Sequence, residues 1–139
     1  MRWILTVLAI LGIAVSSLAL REHYRTDVSP CDINAKWDCG IVNHSPYAVL
    51  SGVPVAIIGI AGYLLIALLA FRRAYRVLLT TALVGVAFSL YLANVEDHIL
   101  GVWCVYCVAS LGLICLISLL ALGIVVVLVF RKPVPIAPS

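Results

Sequence analysis

Residues 104–130 read CVYCVASLGLICLISLLALGIVVVLVF and form the longest apolar stretch of the chain. The stretch contains no Lys, Arg, Asp or Glu, each of which costs about 3 kcal/mol or more in the middle of a bilayer. A bilayer core about 30 Å thick is crossed by roughly 20 helical residues, and a single helix satisfies its own backbone hydrogen bonds in lipid. We therefore predict a membrane-spanning helix that starts with a C-x-x-C motif.

Three further stretches without charged residues meet or approach the same length, at residues 3–20, 52–71 and 77–95. The 139 residues are 65% hydrophobic and 11% charged, with a mean hydropathy of +1.21, which excludes an ordinary soluble domain and a disordered chain. A net charge of +3 from scattered basic residues gives no basis for nucleic-acid binding. We predict an all-α integral membrane protein, a four-transmembrane-helix bundle that forms a single membrane domain over residues 1–139.

The first apolar stretch has a second interpretation. Arg2, an apolar segment and the small residues around Ala19 are also typical of a cleaved secretory signal peptide. We favour a retained span, because the stretch is long for a signal peptide and Trp3 is a suitable interfacial anchor.

Charged residues predict the orientation in the membrane. The ends and linkers on one side hold only basic residues, namely Arg2, Arg72, Arg73, Arg76, Arg131 and Lys132. The other side holds all six acidic residues, namely Glu22, Asp27, Asp32, Asp38, Glu96 and Asp97. By the positive-inside rule both termini lie in the cytoplasm, and the segments 21–51 and 96–103 face the exterior. We expect Asn94, Glu96 and Asp97 to end the third helix in water.

Four of the five cysteines then fall on the exterior side, where disulfides form and persist. Cys104 and Cys107 lie three residues apart on one helix face, and Cys107 is about 4.5 Å deeper along the axis. Unpaired amides at a helix start stabilise a thiolate there. Cys31 and Cys39 lie in a polar loop that can visit the C-x-x-C and exchange disulfides with it. We assign no chemistry to Cys115, in the middle of its span.

Two static alternatives remain open for the four cysteines. Permanent disulfides could brace the exterior loops of a non-enzymatic membrane scaffold. A four-cysteine zinc site is also conceivable, although the C-x7-C spacing is wider than zinc ligands usually show, and we expect no metal.

A dithiol relay needs an electron acceptor, and the sequence carries neither a haem-attachment motif nor a dinucleotide-binding glycine motif. An apolar bundle is suited to a lipid-soluble two-electron carrier, so we predict a quinone, either ubiquinone or menaquinone. Asn43 and Ser45 are candidate hydrogen-bond donors to a quinone oxygen. Ser45 has an alternative role as the cap of a short helix that begins at Pro46.

These motifs resemble the vitamin K epoxide reductase family. The resemblance runs from about residue 30 to residue 108 and is carried by the two cysteine pairs, Ser45, Gly52-x-Pro54 with Gly59 and Tyr63, and Tyr91-Leu92-Ala93. It implies a four-helix quinone reductase with Cys104 and Cys107 as the active-site pair and Cys107 nearest the quinone.

The resemblance also implies the remaining roles. Cys31 and Cys39 form the loop shuttle, and Cys39 makes the mixed disulfide with Cys104. Ser45 lies on a short interfacial helix that covers the quinone pocket. Bacterial members of the family accept electrons from a thioredoxin-like periplasmic protein that makes disulfides in exported proteins. We expect a separate partner of this kind and a location in the bacterial inner membrane.

Two positions depart from the animal members of the family. Where those proteins place an Asn and a Tyr in the pocket, this chain has Val55 and Leu111. The difference favours plain quinone reduction over reduction of vitamin K epoxide. Another bacterial family of disulfide-generating quinone reductases carries its cysteine pairs in the opposite order along the chain.

Overall fold

The computed structural model describes residues 2–24, 46, 49–50, 52–101 and 103–131. Four α-helices dominate this part of the chain: α1 (Arg2–Tyr24), α2 (Val55–Phe71), α3 (Tyr75–Val95) and α4 (Val105–Phe130). A π-helical turn (Glu96–Leu100) extends α3, and two short antiparallel strands precede α2: β1 (Val49–Leu50) and β2 (Val53–Pro54). The predicted all-α four-helix architecture is confirmed.

The helices run alternately up and down. Trp3 meets Phe71 edge-on, with ring centroids 6.5 Å apart, so the start of α1 lies beside the end of α2. Half-way along the same pair, a Cβ on Gly12 would collide with the Tyr63 ring. Only glycine leaves room for that ring, which explains how α1 and α2 approach so closely at this point.

The helices suit a membrane environment. Three of them, Arg2–Tyr24, Tyr75–Leu100 and Val105–Phe130, are long and apolar enough to cross a bilayer. Many large apolar side chains face outward on the bundle, including Leu64, Val84, Leu119 and Phe130. In a soluble protein so much exposed apolar surface would be a liability, whereas lipid solvates it. The protein is therefore integral to the membrane.

The second span differs from the prediction at its start. Residues 52–71 read as one apolar helix, but α2 begins only at Val55 and has 17 residues. Gly52 adopts a left-handed φ of 82°, and Pro54 is extended at φ −57° and ψ 135°, so the chain before the helix turns back as the β1–β2 pair. At 1.5 Å per residue, α2 is still about 26 Å long, close to the thickness of the hydrocarbon core.

The two ends of the bundle differ in charge. One end, the arginine end, holds Arg2, Arg72, Arg73, Arg76 and Arg131. The opposite end, the cysteine end, holds Glu22, Glu96, Cys104 and Cys107. The helix ends thus separate charge as the sequence predicts, while the side of the membrane that each end faces stays a prediction.

Two carboxylates at the cysteine end are buried, contrary to expectation. The prediction that Glu96 ends its helix in water is wrong, because only 2% of the residue is exposed. The predicted exterior segment starts at residue 21, yet α1 continues to Tyr24 and Glu22 is also buried at 2% exposure. Asn94 and Asp97 are exposed, as expected. The interior of the cysteine end is thus more polar than the apolar composition of the helices indicates.

Candidate active site

A cavity of about 410 Å³ lies between the four helices at the cysteine end. Its volume falls within the usual range for small-ligand pockets, roughly 300–1,000 Å³. Its walls are mainly apolar, and glycines on α2 and α3 leave room for it. The main lining residues are Ser16, Ala19 and His23 of α1, Val55, Gly59, Gly62 and Tyr63 of α2, Gly85, Phe88, Ser89 and Leu92 of α3, Glu96, Leu100, Trp103, and Tyr106, Cys107, Ser110, Leu111 and Ile114 of α4.

The C-x-x-C motif forms one wall of this cavity. Cys104 is the N-cap residue of α4, with an extended backbone at φ −104° and ψ 123°, and it is fully buried. Cys107 lies in the first turn of the helix, lines the cavity and is half-buried. The Cys107 thiol hydrogen-bonds to the Cys104 side chain, so the two sulfurs are neighbours. The deeper cysteine of the pair therefore lines the cavity, while the part of each sulfur in a reaction stays a prediction.

Glu96 completes the cysteine site. Its Oε2 accepts a hydrogen bond from the backbone N–H of Cys104 at 3.2 Å, and its carboxylate also hydrogen-bonds to the Cys107 side chain. The residue opens the π-helical turn that ends at Leu100, and Gly101 reverses the chain with a left-handed φ of 69°. π-helical turns are rare and often occur at functional sites. One carboxylate thus contacts both residues of the cysteine pair.

Sequence reasoning missed Glu96 because it treated all acidic residues near the helix ends as solvated. A signal was nevertheless present: the residue directly follows an apolar span and precedes the C-x-x-C by eight positions. Carboxylates at membrane depth are rare and are usually functional.

The family model described as the vitamin K epoxide reductase family matches residues 3–130, nearly the whole chain. The chain belongs to the vitamin K epoxide reductase family. Membership identifies a membrane redox enzyme of the thiol–disulfide oxidoreductase kind, in a family associated with quinone chemistry. No curated protein matches the sequence of the chain.

Both predicted pocket positions of this family member line the cavity. Val55 is the first residue of α2 and Leu111 lies one turn beyond Cys107 on α4. Neither side chain can hydrogen-bond, so these two positions offer a ligand only apolar contact. Their part in binding a ligand stays a prediction.

Polar groups deeper in the cavity pair with one another. The Tyr63 hydroxyl donates to the Ser110 carbonyl at 2.9 Å and lies 2.8 Å from the Ser110 hydroxyl. These hydrogen bonds join α2 to α4 below the cysteines. They also satisfy two hydroxyl groups that would otherwise face the apolar cavity without a partner. The remaining lining is therefore suited to a flat, largely apolar molecule, with aromatic rings from Phe88, Trp103 and Tyr106.

Four predicted site residues lie outside the described residues: Cys31, Cys39, Asn43 and Ser45. The predicted interfacial helix and loop shuttle belong to the same segment. Among the residues that the structure describes, no three His, Cys, Asp or Glu side chains are grouped so as to hold a metal ion. Cys115 lies in α4 but is not among the residues that line the cavity.

Proposed function

We propose that the protein transfers electron pairs from a reduced thioredoxin-like protein, through its two cysteine pairs, to a quinone in the membrane. The observation that carries the proposal is the position of Cys107: its thiol contacts Cys104 on one side and an apolar cavity of about 410 Å³ on the other. A sulfur placed in this way can exchange a disulfide with one partner and electrons with another.

The cavity supports a quinone as the acceptor. A quinone ring is flat and apolar on both faces, and ligand pockets of this kind combine apolar walls with a few polar groups. Phe88, Trp103 and Tyr106 supply aromatic surface, and Val55 and Leu111 supply aliphatic contact. Ubiquinone and menaquinone both fit this description, and the oxidised acceptor takes two electrons, as many as one dithiol releases.

The proposed relay runs in three thiol–disulfide steps. A thiolate of the reduced partner attacks the Cys31–Cys39 disulfide, and the partner leaves with its own disulfide. Cys39 then attacks the Cys104–Cys107 disulfide at Cys104, which releases Cys107 beside the cavity. Cys31 next attacks Cys39 in this mixed disulfide, which restores the Cys31–Cys39 disulfide and leaves Cys104 and Cys107 reduced. When the Cys104–Cys107 disulfide forms again, two electrons pass to the quinone, and Ser45, with Asn43 as a second candidate donor, stabilises the negative charge on its oxygen.

We further propose where this relay operates. Both termini would lie in the cytoplasm of a bacterium, and both cysteine pairs would lie on the periplasmic side of the inner membrane. The arginine end, with its exposed basic residues, supports this orientation through the positive-inside rule. The relay would then keep a periplasmic thioredoxin-like protein oxidised and support disulfide formation in exported proteins.

The decisive experiment is reduction of ubiquinone and menaquinone analogues by the purified protein, driven by a dithiol. We expect Cys107→Ala to abolish the reaction, because it removes the sulfur that faces the cavity. Cys115→Ala is the matched control, since it deletes a thiol from the same helix away from the cavity, and it should retain the wild-type rate within about twofold. Equal rates for wild type and Cys107→Ala would overturn the proposal.

Thiol trapping separates this enzyme from a static scaffold. In a relay, mild reductant opens the cysteine pairs, and Cys107→Ala captures a mixed disulfide between Cys39 and Cys104. Cysteine pairs that resist mild reductant, in a protein that reduces neither quinone, would establish the scaffold instead.

A further inference from the structure

Glu96 has no role in the relay as stated, although it contacts both cysteines of the active-site pair. It is 2% exposed, so its carboxylate is withdrawn from water at considerable cost. A single backbone N–H, from Cys104 at 3.2 Å, and the Cys107 thiol are its hydrogen-bond partners among the described contacts. A purely structural anchor for one amide would be satisfied by a neutral side chain. An ionisable carboxyl group beside the two cysteines points to chemistry instead.

We propose that Glu96 is a catalytic residue that accepts the proton of the Cys107 thiol when the Cys104–Cys107 pair is oxidised. This inference rests on the proposed thiol–quinone function. Its geometric basis is direct: the carboxylate hydrogen-bonds to the thiol that must lose its proton, and Glu96 and Cys107 line the same cavity. A general base has to lie within hydrogen-bond reach of the proton it removes, and Glu96 does.

The proton and electron balance gives this carboxylate a defined task. When the reduced pair is oxidised, two S–H bonds break, one S–S bond forms, and two electrons and two protons convert the quinone to a quinol. The thiolate is the reactive form of cysteine. Glu96 takes the Cys107 proton as the electrons leave the sulfur and passes it to an oxygen of the reduced quinone in the same cavity. The second proton is that of Cys104.

The Cys104 amide holds the base in place. Its N–H donates to Oε2 of Glu96 and fixes the carboxylate at the start of α4, beside the thiol in the first turn. The π-helical turn supplies the other constraint, because it carries Glu96 inward from the end of α3 while its neighbour Asp97 points to solvent. The two acidic residues thus lie side by side in sequence but in different environments.

Asp97 therefore provides a matched control. It is 55% exposed at its side chain and lies 3.6 Å from the ring of His98, an exposed pair. Glu96→Gln and Asp97→Asn each replace a carboxylate by an amide of the same shape. The Gln side chain still offers an oxygen to the Cys104 N–H, but it cannot take a proton.

We expect Glu96→Gln to slow dithiol-driven quinone reduction by about 100-fold or more, the usual contribution of a general base. Asp97→Asn should remain within about twofold of wild type. Glu96→Asp, which keeps the carboxylate on a shorter stem, should recover a part of the lost rate. A Glu96→Gln variant that is folded and as fast as wild type would overturn the inference.

The pH profile distinguishes a base from a structural residue. Without Glu96 the thiol proton must go to hydroxide, so the Glu96→Gln rate should rise about tenfold per pH unit, against a flatter wild-type profile. Among the residues that the structure describes, the other titratable groups that line the cavity are His23, Tyr63, Tyr106 and Cys107, with Cys104 beside them. They are the same in both proteins. If the rate of quinone reduction by Glu96→Gln stays low at alkaline pH and Glu96→Asp is equally inactive, the role of Glu96 is structural and the inference is overturned.

A second reaction tests the role of Glu96 without depending on quinone reduction. Oxidised glutathione closes the reduced Cys104–Cys107 pair without any quinone, and thiol trapping with mass spectrometry follows the reaction. Glu96→Gln should slow this closure while Asp97→Asn should not. Slow closure in Glu96→Gln with no quinone reduction by wild type would sink the proposed function and leave Glu96 as the base of a thiol–disulfide exchange. Normal quinone reduction by wild type and unchanged closure in Glu96→Gln would sink only the role of Glu96.

Discussion

The two halves of the bundle are formed by the same helices but differ in their interior packing. Towards the arginine end the helices enclose a continuous core, in which Leu5, Leu78 and Ile117 are fully buried. Towards the cysteine end the same helices enclose a cavity of about 410 Å³ and two buried carboxylates. The packed half fixes the relative positions of the helices. The hollow half can therefore keep a cavity and two buried carboxyl groups without collapsing.

This division predicts that substitutions in the two halves change different quantities. Filling the hollow half should block the ligand and leave the fold intact. Emptying the packed half should weaken the fold and leave the chemistry intact. The expected effects below run from the largest to the smallest.

The largest effect should come from Gly62→Leu in the hollow half. Gly62 lines the cavity, and a Cβ built on it has no heavy atom within 4 Å. The new side chain therefore extends into the space that we assign to the quinone without a clash to destabilise the helices. We expect quinone reduction to fall about 100-fold, equivalent to about 2.7 kcal/mol in the barrier, with the free energy of unfolding changed by less than about 1 kcal/mol.

Gly112→Leu controls for the cost of changing a helical glycine. Gly112 also has no heavy atom within 4 Å of an added Cβ, but it faces outward on α4 and is not among the cavity-lining residues. Its quinone reduction should stay close to wild type. If the two variants lose activity equally, the cavity is not the site of reduction.

A smaller effect, and one of the opposite kind, should come from Ile117→Ala in the packed half. Ile117 is 0% exposed and belongs to the central core cluster. Shortening it leaves a void, which costs about 2 kcal/mol or more of unfolding free energy. Quinone reduction by the folded fraction should stay within about threefold of wild type.

Leu119→Ala provides the comparison on the same helix. Leu119 is 66% exposed and faces the surroundings of the bundle, so the same deletion leaves no internal void. Unfolding in detergent or lipid, followed by circular dichroism, should show a loss for Ile117→Ala and almost none for Leu119→Ala. An equal loss would mean that the packed half contributes no specific stability.

The sequence predicts the packed half and the frame of the hollow half for clear physical reasons. Long uncharged stretches must form helices in lipid, and short linkers force neighbouring helices to run antiparallel. The same reasoning places the C-x-x-C at the start of a helix, and the family resemblance places Val55 and Leu111 at a pocket. These conclusions depend on local composition and on motif spacing, which a single sequence contains.

The interior of the hollow half could not be predicted in the same way. Glu96 and Asp97 are adjacent acidic residues, and sequence composition predicts the same solvent exposure for both. In the structure only Glu96 turns inward. The difference arises from a π-helical turn and from a hydrogen bond to an amide eight residues away. The late start of α2 has a similar origin, since strand pairing between residues on either side of a turn overrides the apolar composition of residues 52–54. Tertiary contacts of this kind leave no periodic signal in the sequence.

The smallest effect should come from Arg2 at the arginine end. Its guanidinium carbon lies 4.9 Å from the centroid of the Trp3 ring and 5.5 Å from that of Phe71, so one cation contacts the two rings that join the start of α1 to the end of α2. Cation–π contacts at partly exposed sites contribute about 0.5–1 kcal/mol. Arg2→Gln should therefore lower the free energy of unfolding by about that amount, and quinone reduction should not change.

Arg131→Gln tests whether the contact or merely the charge matters. Arg131 is exposed at the same end of the bundle, and no ring contact of its side chain is found among the described residues. Arg131→Gln removes the same positive charge as Arg2→Gln. A loss of stability in Arg2→Gln alone therefore assigns that loss to the contact with the two rings. A similar loss in both variants would assign it to the net charge of the arginine end. In that case the contact of Arg2 with the two rings would add nothing to the stability of the arginine end.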